Sequence, residues 1–127
     1  MTEQQARELI ENYLEAYNLF DVAGMLSCLH PNIVFENVAG GIVTLRTEGK
    51  AAFESQAAQA TELFMERHQR ILAFRLDADC ARMDIDYSAI TAVDWPNGWK
   101  AGTIFRLTGQ SVFTFRDELI ASIQDIS

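Results

Sequence analysis

Two hydrophobic periodicities divide the chain. Near the N-terminus Leu9, Ile10, Tyr13, Leu14, Tyr17 and Phe20 recur at three- and four-residue steps. That spacing lines one face of a helix. Thr2 and Gln5 form a T-x-x-Q capping box, which predicts a helix starting near residue 3. Asp21 is placed to cap a second, short helix carrying Val22, Met25, Leu26 and Leu29. His30-Pro31-Asn32 ends it, because Pro31 disfavours helical geometry at His30 and has no N–H to donate. Residues 33–38 read as a short β run closed by Gly40-Gly41, with 42–45 as a candidate extension. An alanine-rich third helix is predicted over 50–64, with Phe53, Ala57, Ala60 and Phe64 on one face.

Beyond that point the period becomes two. Residues 69–76 read as a strand. The clearest signal spans 81–95: Ala81, Met83, Ile85, Tyr87, Ala89, Thr91, Val93 and Trp95 alternate with Arg82, Asp84, Asp86, Ser88 and Asp94. Such alternation means one covered face and one wet face. Pro96-Asn97-Gly98 is a turn, since proline presets φ and glycine accepts positive φ. Residues 100–115 fold back as a hairpin with Phe105, Leu107, Phe113 and Phe115 on one face. Arg116-Asp117-Glu118 turns the chain again, and 119–126 is the last strand. Helices followed by long consecutive strands predict an α+β domain. Strands this long bend, so a strongly curved antiparallel sheet is expected, with the helices closing its concave side over a pocket.

Composition agrees with a packed core. Of 127 residues, 49% are hydrophobic and 22% charged, as expected of one globular domain over 1–127. No apolar run approaches the length of a membrane helix, and the polar start lacks a signal peptide, so a cytoplasmic protein is expected. The net charge of −8, with ten scattered basic residues, argues against nucleic acid as a partner. Cys28 and Cys80 lack metal-ligand spacing and are expected as free thiols rather than a disulfide.

Three segments carry a family resemblance: Tyr13-Leu14-Glu15-Ala16-Tyr17-x-x-Phe20-Asp21, Leu26-x-x-Leu29-His30-Pro31-Asn32-Ile33-Val34-Phe35-Glu36, and residues 111–120. With the order of elements, they resemble the NTF2-like superfamily and, within it, the SnoaL-like polyketide cyclases and ketosteroid isomerases. The resemblance implies a cone of three N-terminal helices packed on a curved sheet. In a ketosteroid isomerase a helix tyrosine donates to the oxyanion, and Tyr13 falls there. The catalytic aspartate's place is taken by Asn37, whose amide cannot abstract a proton. The second oxyanion donor's place falls near Ser111, so two of three roles are altered, which argues against ketosteroid isomerase chemistry. A scytalone-type dehydratase needs an aspartate and two cavity histidines. This chain has two histidines in all, and His30 lies in a helix–strand connection. In the SnoaL-like cyclases the acid–base aspartate lies on the last strand, where Asp125 falls. Their histidine partner would again fall near Ser111.

Each candidate has a plainer reading beside it. Tyr13 and Tyr17 are oxyanion donors or ordinary core tyrosines. Asp125 shares parity with Ile123, which turns it inward if no bulge shifts the register; otherwise it is a solvated carboxylate near the chain end. Asn37, Tyr87 and Ser111 supply fixed polar groups, and Phe35, Phe105 and Phe113 an apolar wall, the usual make-up of a small-molecule site. Asp84 and Asp86 read as a solvated pair on the wet face, His30 as a turn residue and His68 as partly exposed. Trp95 and Trp99 belong to a pocket rim or to a subunit contact. No phosphate loop, nucleophile elbow or metal-ligand cluster is present, so no cofactor and no metal are expected. Two functions follow. One is a cofactor-independent lyase, isomerase or cyclase for an apolar carbonyl-containing ring compound, with Asp125 as base and Tyr13 or Tyr17 as donor. The other is a non-catalytic ligand-binding or dimerisation module. Ile90, Ala92, Ile104 and Val112 on the outer face predict a two-fold homodimer.

Overall fold

The computed structural model describes residues 1–127. Its elements are α1 (Glu3–Asn18), α2 (Val22–Ser27), β1 (Leu29–Ala39), β2 (Ile42–Glu48), α3 (Lys50–Thr61), β3 (Phe64–Asp77), β4 (Cys80–Thr91), β5 (Ile104–Arg116) and β6 (Leu119–Ile126). The capping box forms: the Gln5 N–H donates to Thr2 Oγ1 at 3.1 Å and the Thr2 N–H to Gln5 Oε1 at 2.9 Å. α1 stops short of Phe20, which takes a positive φ of 58°. Asp21 caps α2 by accepting from the Gly24 N–H at 3.0 Å.

Several boundaries differ from the sequence expectation. Leu29 belongs to β1 rather than α2, and His30-Pro31-Asn32 lies inside that strand. Pairing of β1 with β6 is interrupted between Leu29 and Val34. Pro31 sits in this gap, where no ladder bond is asked of its missing N–H. α3 ends at Thr61, so Phe64 opens β3, which begins five residues before the expected strand. β4 ends at Thr91: Val93 and Trp95 continue the alternation but not the strand. There the Thr91 N–H turns to the Thr103 carbonyl, and the Trp95 N–H to the Trp99 carbonyl.

The six strands form one sheet in the order β2-β1-β6-β5-β4-β3. β1 and β6 run parallel and every other pair is antiparallel, so the sheet is mixed. The expected antiparallel sheet is corrected there, as is the expectation of three N-terminal helices, because α3 follows β1 and β2. Alternation reports which face a strand buries, not the direction of its neighbour. α1 packs on β3 and β6, α3 on β1 and β2, and α2 bridges the helices. Ile10, Leu29, Ile33, Phe53, Phe113, Ile120 and Ile123 are fully buried between these layers. No helix is long and apolar enough to cross a membrane. Both cysteines are free.

Asp84 and Asp86 do not form the expected solvated pair. Asp86 is buried on the outer face, where Arg106 Nε and Nη2 donate to it at 2.8 and 2.6 Å and Arg70 Nη2 at 3.0 Å. This ladder ties β3, β4 and β5 together. The Arg106 and Arg70 hydrogen bonds hold the Asp86 carboxyl down at about 2. A carboxyl depressed in the folded state stabilises the fold above its unfolded pKa and loses that effect as pH falls through the folded value. Asp86→Asn is therefore expected to unfold more readily than wild type at pH 7. The gap should shrink from about pH 4 toward pH 2, as read by denaturant unfolding across that range.

Candidate functional site

A cavity of about 440 Å³ lies between the helices and the inner face of the sheet. Asp125 faces it, and strand register explains how. Arg116 pairs with Leu119 and Phe115 with Ile120, but Thr114 pairs with Ser122, leaving Ala121 as an extra residue in β6. Beyond this bulge Phe113 pairs with Ile123 and Ser111 with Asp125. An unbroken ladder from the same turn would oppose Ser111 to Gln124 and turn Asp125 outward. The bulge thus has the opposite effect to the one expected from sequence: it brings Asp125 in. On its other side Asp125 neighbours Asn37 of β1. Gly109 lets the end of β6 approach, since a Cβ there would stand 2.7 Å from the Ile126 carbonyl oxygen.

Ser111 is buried, and its Oγ donates to Asp125 Oδ1 at 2.8 Å. Burial pushes the Asp125 carboxyl up to about 6, and the Ser111 hydrogen bond pulls the other way. Tyr13 is also buried, its ring edge-on to Phe113 at 5.9 Å, and it lines the same cavity. Burial, with the nearby Asp125 charge, holds its phenol well above the usual range. The Tyr17 and Tyr87 hydroxyls meet at 3.0 Å, and burial raises both phenols. The cavity therefore offers one ionisable base among phenols that stay protonated, the arrangement acid–base chemistry on an apolar molecule requires.

The SnoaL-like domain model matches residues 10–123. The chain belongs to the SnoaL-like family, within the NTF2-like superfamily. Solved structures share its fold across nearly the whole length. A candidate polyketide cyclase from Xanthomonas campestris pv. campestris superposes with a TM-score of 0.82 at 21% identity, covering 98% of this chain and 90% of that one. TerC, co-crystallised with polyporic acid, gives 0.77 at 19% identity over 96% and 90%. A protein with a ketosteroid isomerase-like fold from Catenulispora acidiphila, in complex with trimethylamine, gives 0.75 at 16% over 93% and 83%. Among curated proteins no match was found.

In this SnoaL-like chain Asp125, Tyr13, Tyr17, Phe35, Asn37, Tyr87 and Ser111 all line the cavity. Phe105 and Phe113 do not, which corrects their expected place in its wall. Phe113 is consumed by the core against Tyr13. Phe105 stacks at the far end of β5 with Trp99 at 4.6 Å, Trp95 at 5.6 Å and Tyr87 at 6.0 Å. Trp95 and Trp99 are half-buried against Phe105, with Trp95 Nε1 donating to the Leu63 carbonyl at 3.3 Å. His30 is a buried residue of β1 rather than a turn residue: its Nδ1 accepts from the Asn32 N–H, and its Nε2 lies 3.2 Å from Asp117. His68 is exposed outside this cavity.

Sequence reading missed Arg67, a buried arginine in the cavity wall. A second bulge is responsible. Phe64 pairs with Thr91 and Glu66 with Ile90, so Met65 is extra, and Phe64, Arg67 and Gln69 share the inner face. The available signal was the run Arg67, Gln69, Ile71 at step two, masked by extending the third helix to Phe64.

Placing Asp125 here has a stability consequence. Its folded pKa is raised, so the folded state holds the proton more tightly than the unfolded chain. Burying the carboxylate then costs stability that appears as pH rises from about 4 through about 6. Asp125→Asn is expected to be more stable than wild type at pH 8 by roughly 2–3 kcal/mol. The gap should close by pH 4. Urea unfolding at the two pH values measures it.

Proposed function

We propose that residues 1–127 form a single SnoaL-like domain that binds a small apolar molecule in this cavity. It acts as a cofactor-independent lyase, isomerase or cyclase on an apolar carbonyl-containing ring compound. The observation that carries this reading is Asp125: a carboxyl inside a cavity, held up at about 6, bonded to Ser111 and beside Tyr13. Its carboxylate removes a proton from the carbon next to the substrate carbonyl. The neutral Tyr13 hydroxyl donates to the oxygen on which negative charge develops. The protonated Asp125 then returns the proton to another position or to a leaving group. Ser111 keeps the carboxylate oriented through both steps. Cyclase and ring-compound associations among proteins of this fold support the substrate class. A cavity not filled by Phe105, Phe113 or Phe115 supports ligand entry over a solid packing module.

The test is α-proton exchange of a cyclic ketone such as 2-tetralone in D₂O, followed by NMR. Wild type is expected to accelerate exchange, with a rate that rises through about pH 6 as Asp125 ionises. Asp125→Asn should lose about 10²-fold or more, and Tyr13→Phe a smaller factor. If wild type gives no acceleration, or Asp125→Asn matches it, the cavity is a non-catalytic binding site.

We also propose a two-fold homodimer through the outer sheet face, in a cytoplasmic setting that suits the free thiols. Ile104 is 77% exposed there, opposite Ile90 of β4, and Val112 lies further along β5 on the same face. An apolar side chain so exposed invites a partner. Sedimentation should give twice 14.3 kDa at micromolar protein and the monomer mass for Ile104→Glu. A wild-type monomer would remove the dimer.

A further inference from the structure

Arg67 carries a charge that nothing in the protein neutralises. The side chain is 4% exposed. Its Nε donates to the Tyr17 carbonyl in the last turn of α1 at 2.9 Å, a favourable place for a cation at a helix C-terminus. The guanidinium lies 3.7 Å from the Tyr17 ring centroid and 4.8 Å from that of Phe20. These contacts offset part of the desolvation. They do not use the terminal nitrogens. Nη2 is buried without an acceptor, and the ion pairs of the chain all lie elsewhere.

A latch between α1 and β3 needs only the Nε bond. A neutral amide would serve it at less electrostatic cost. A buried unpaired charge is among the least favourable contents of a core, and arginine cannot shed its proton to escape. Arg67 lines the cavity, together with Tyr17 and Tyr87. Of those two joined hydroxyls, only one hydrogen is committed to their mutual bond. Asp125 does not supply the missing anion, since it is bonded to Ser111 and forms no ion pair with Arg67.

We propose that Arg67 and the Tyr17–Tyr87 hydroxyl pair form an anion subsite, and that the cavity ligand carries a carboxylate or comparable planar oxyanion bound there. This inference rests on the cavity being a ligand site, but not on Asp125 being catalytic. The guanidinium terminus donates charge-assisted hydrogen bonds to the anion, and the free phenol hydrogen adds another. The ligand's apolar body then extends along the cavity toward Asp125.

The experiment compares 2-naphthoate with its neutral counterpart 2-naphthamide by calorimetry at fixed pH and ionic strength. Wild type is expected to bind naphthoate on the order of tenfold tighter or better. Arg67→Met should bring the ratio near one and leave naphthamide affinity little changed. Equal affinities in wild type, or a preference that survives Arg67→Met, would overturn the subsite while leaving the cavity reading intact. Binding of neither probe would overturn both. Should Arg67→Met fail to fold, the wild type decides alone: naphthoate, but not naphthamide, must shift the Arg67 Nε–Hε resonance, and an unmoved resonance defeats the proposal.

Discussion

The position of a single unpaired residue, Ala121, decides which chemistry the cavity contains. In a two-stranded ladder side chains alternate strictly, so one extra residue exchanges the faces of everything beyond it. In β6 that exchange keeps both Ile120 and Ile123 in the core and turns Asp125 toward Ser111. Without it Gln124 would face the cavity and Asp125 the outer surface. In β3 the extra residues Met65 and Leu72 flank the stretch in which Arg67 faces inward. The two ionisable side chains that distinguish this cavity from an apolar void both lie just beyond bulges.

Electrostatics then separates the roles of the polar groups. Burial raises the Asp125 carboxyl into the range where it can both take and return a proton near neutral pH. The same burial keeps the three phenols protonated as donors. On the outer face the opposite holds: Asp86 is met by Arg70 and Arg106 and stays ionised as part of the scaffold. Two aspartates in one sheet thus differ by environment. One is charge-compensated by its partners and braces the strands, while the other is left with a single hydroxyl partner inside the cavity.

Much of this architecture was legible from sequence. The capping box, the apolar face of α1 and the alternation in β4 each report a local physical preference that tertiary packing left in force. The segments containing Tyr13 and Leu29-His30-Pro31 carried the family likeness that the domain match bears out. What escaped was non-local. Nothing in the residues around Ala121 or Met65 marks a bulge, because bulges answer to the neighbouring strand. Parallel pairing of β1 with β6 joins segments from opposite ends of the chain. Thr91 ends β4 although Val93 and Trp95 prolong its pattern, because the backbone there bonds across the 92–103 loop instead. Arg67 precedes Gln69, where the helical spacing of Phe53, Ala57, Ala60 and Phe64 hides the start of the strand, and the parity of Phe105 and Phe113 does not reveal which part of the concave face remains hollow.

A base at Asp125 depends on that carboxyl being shielded from water inside the cavity. The most direct measurement is an NMR titration of the side-chain carboxyl carbons, with the Asp125 signal assigned by its loss in Asp125→Asn. A midpoint near 6 is expected. A midpoint close to 4, as for an aspartate in a free peptide, would contradict the burial of Asp125 and with it the assignment of a base.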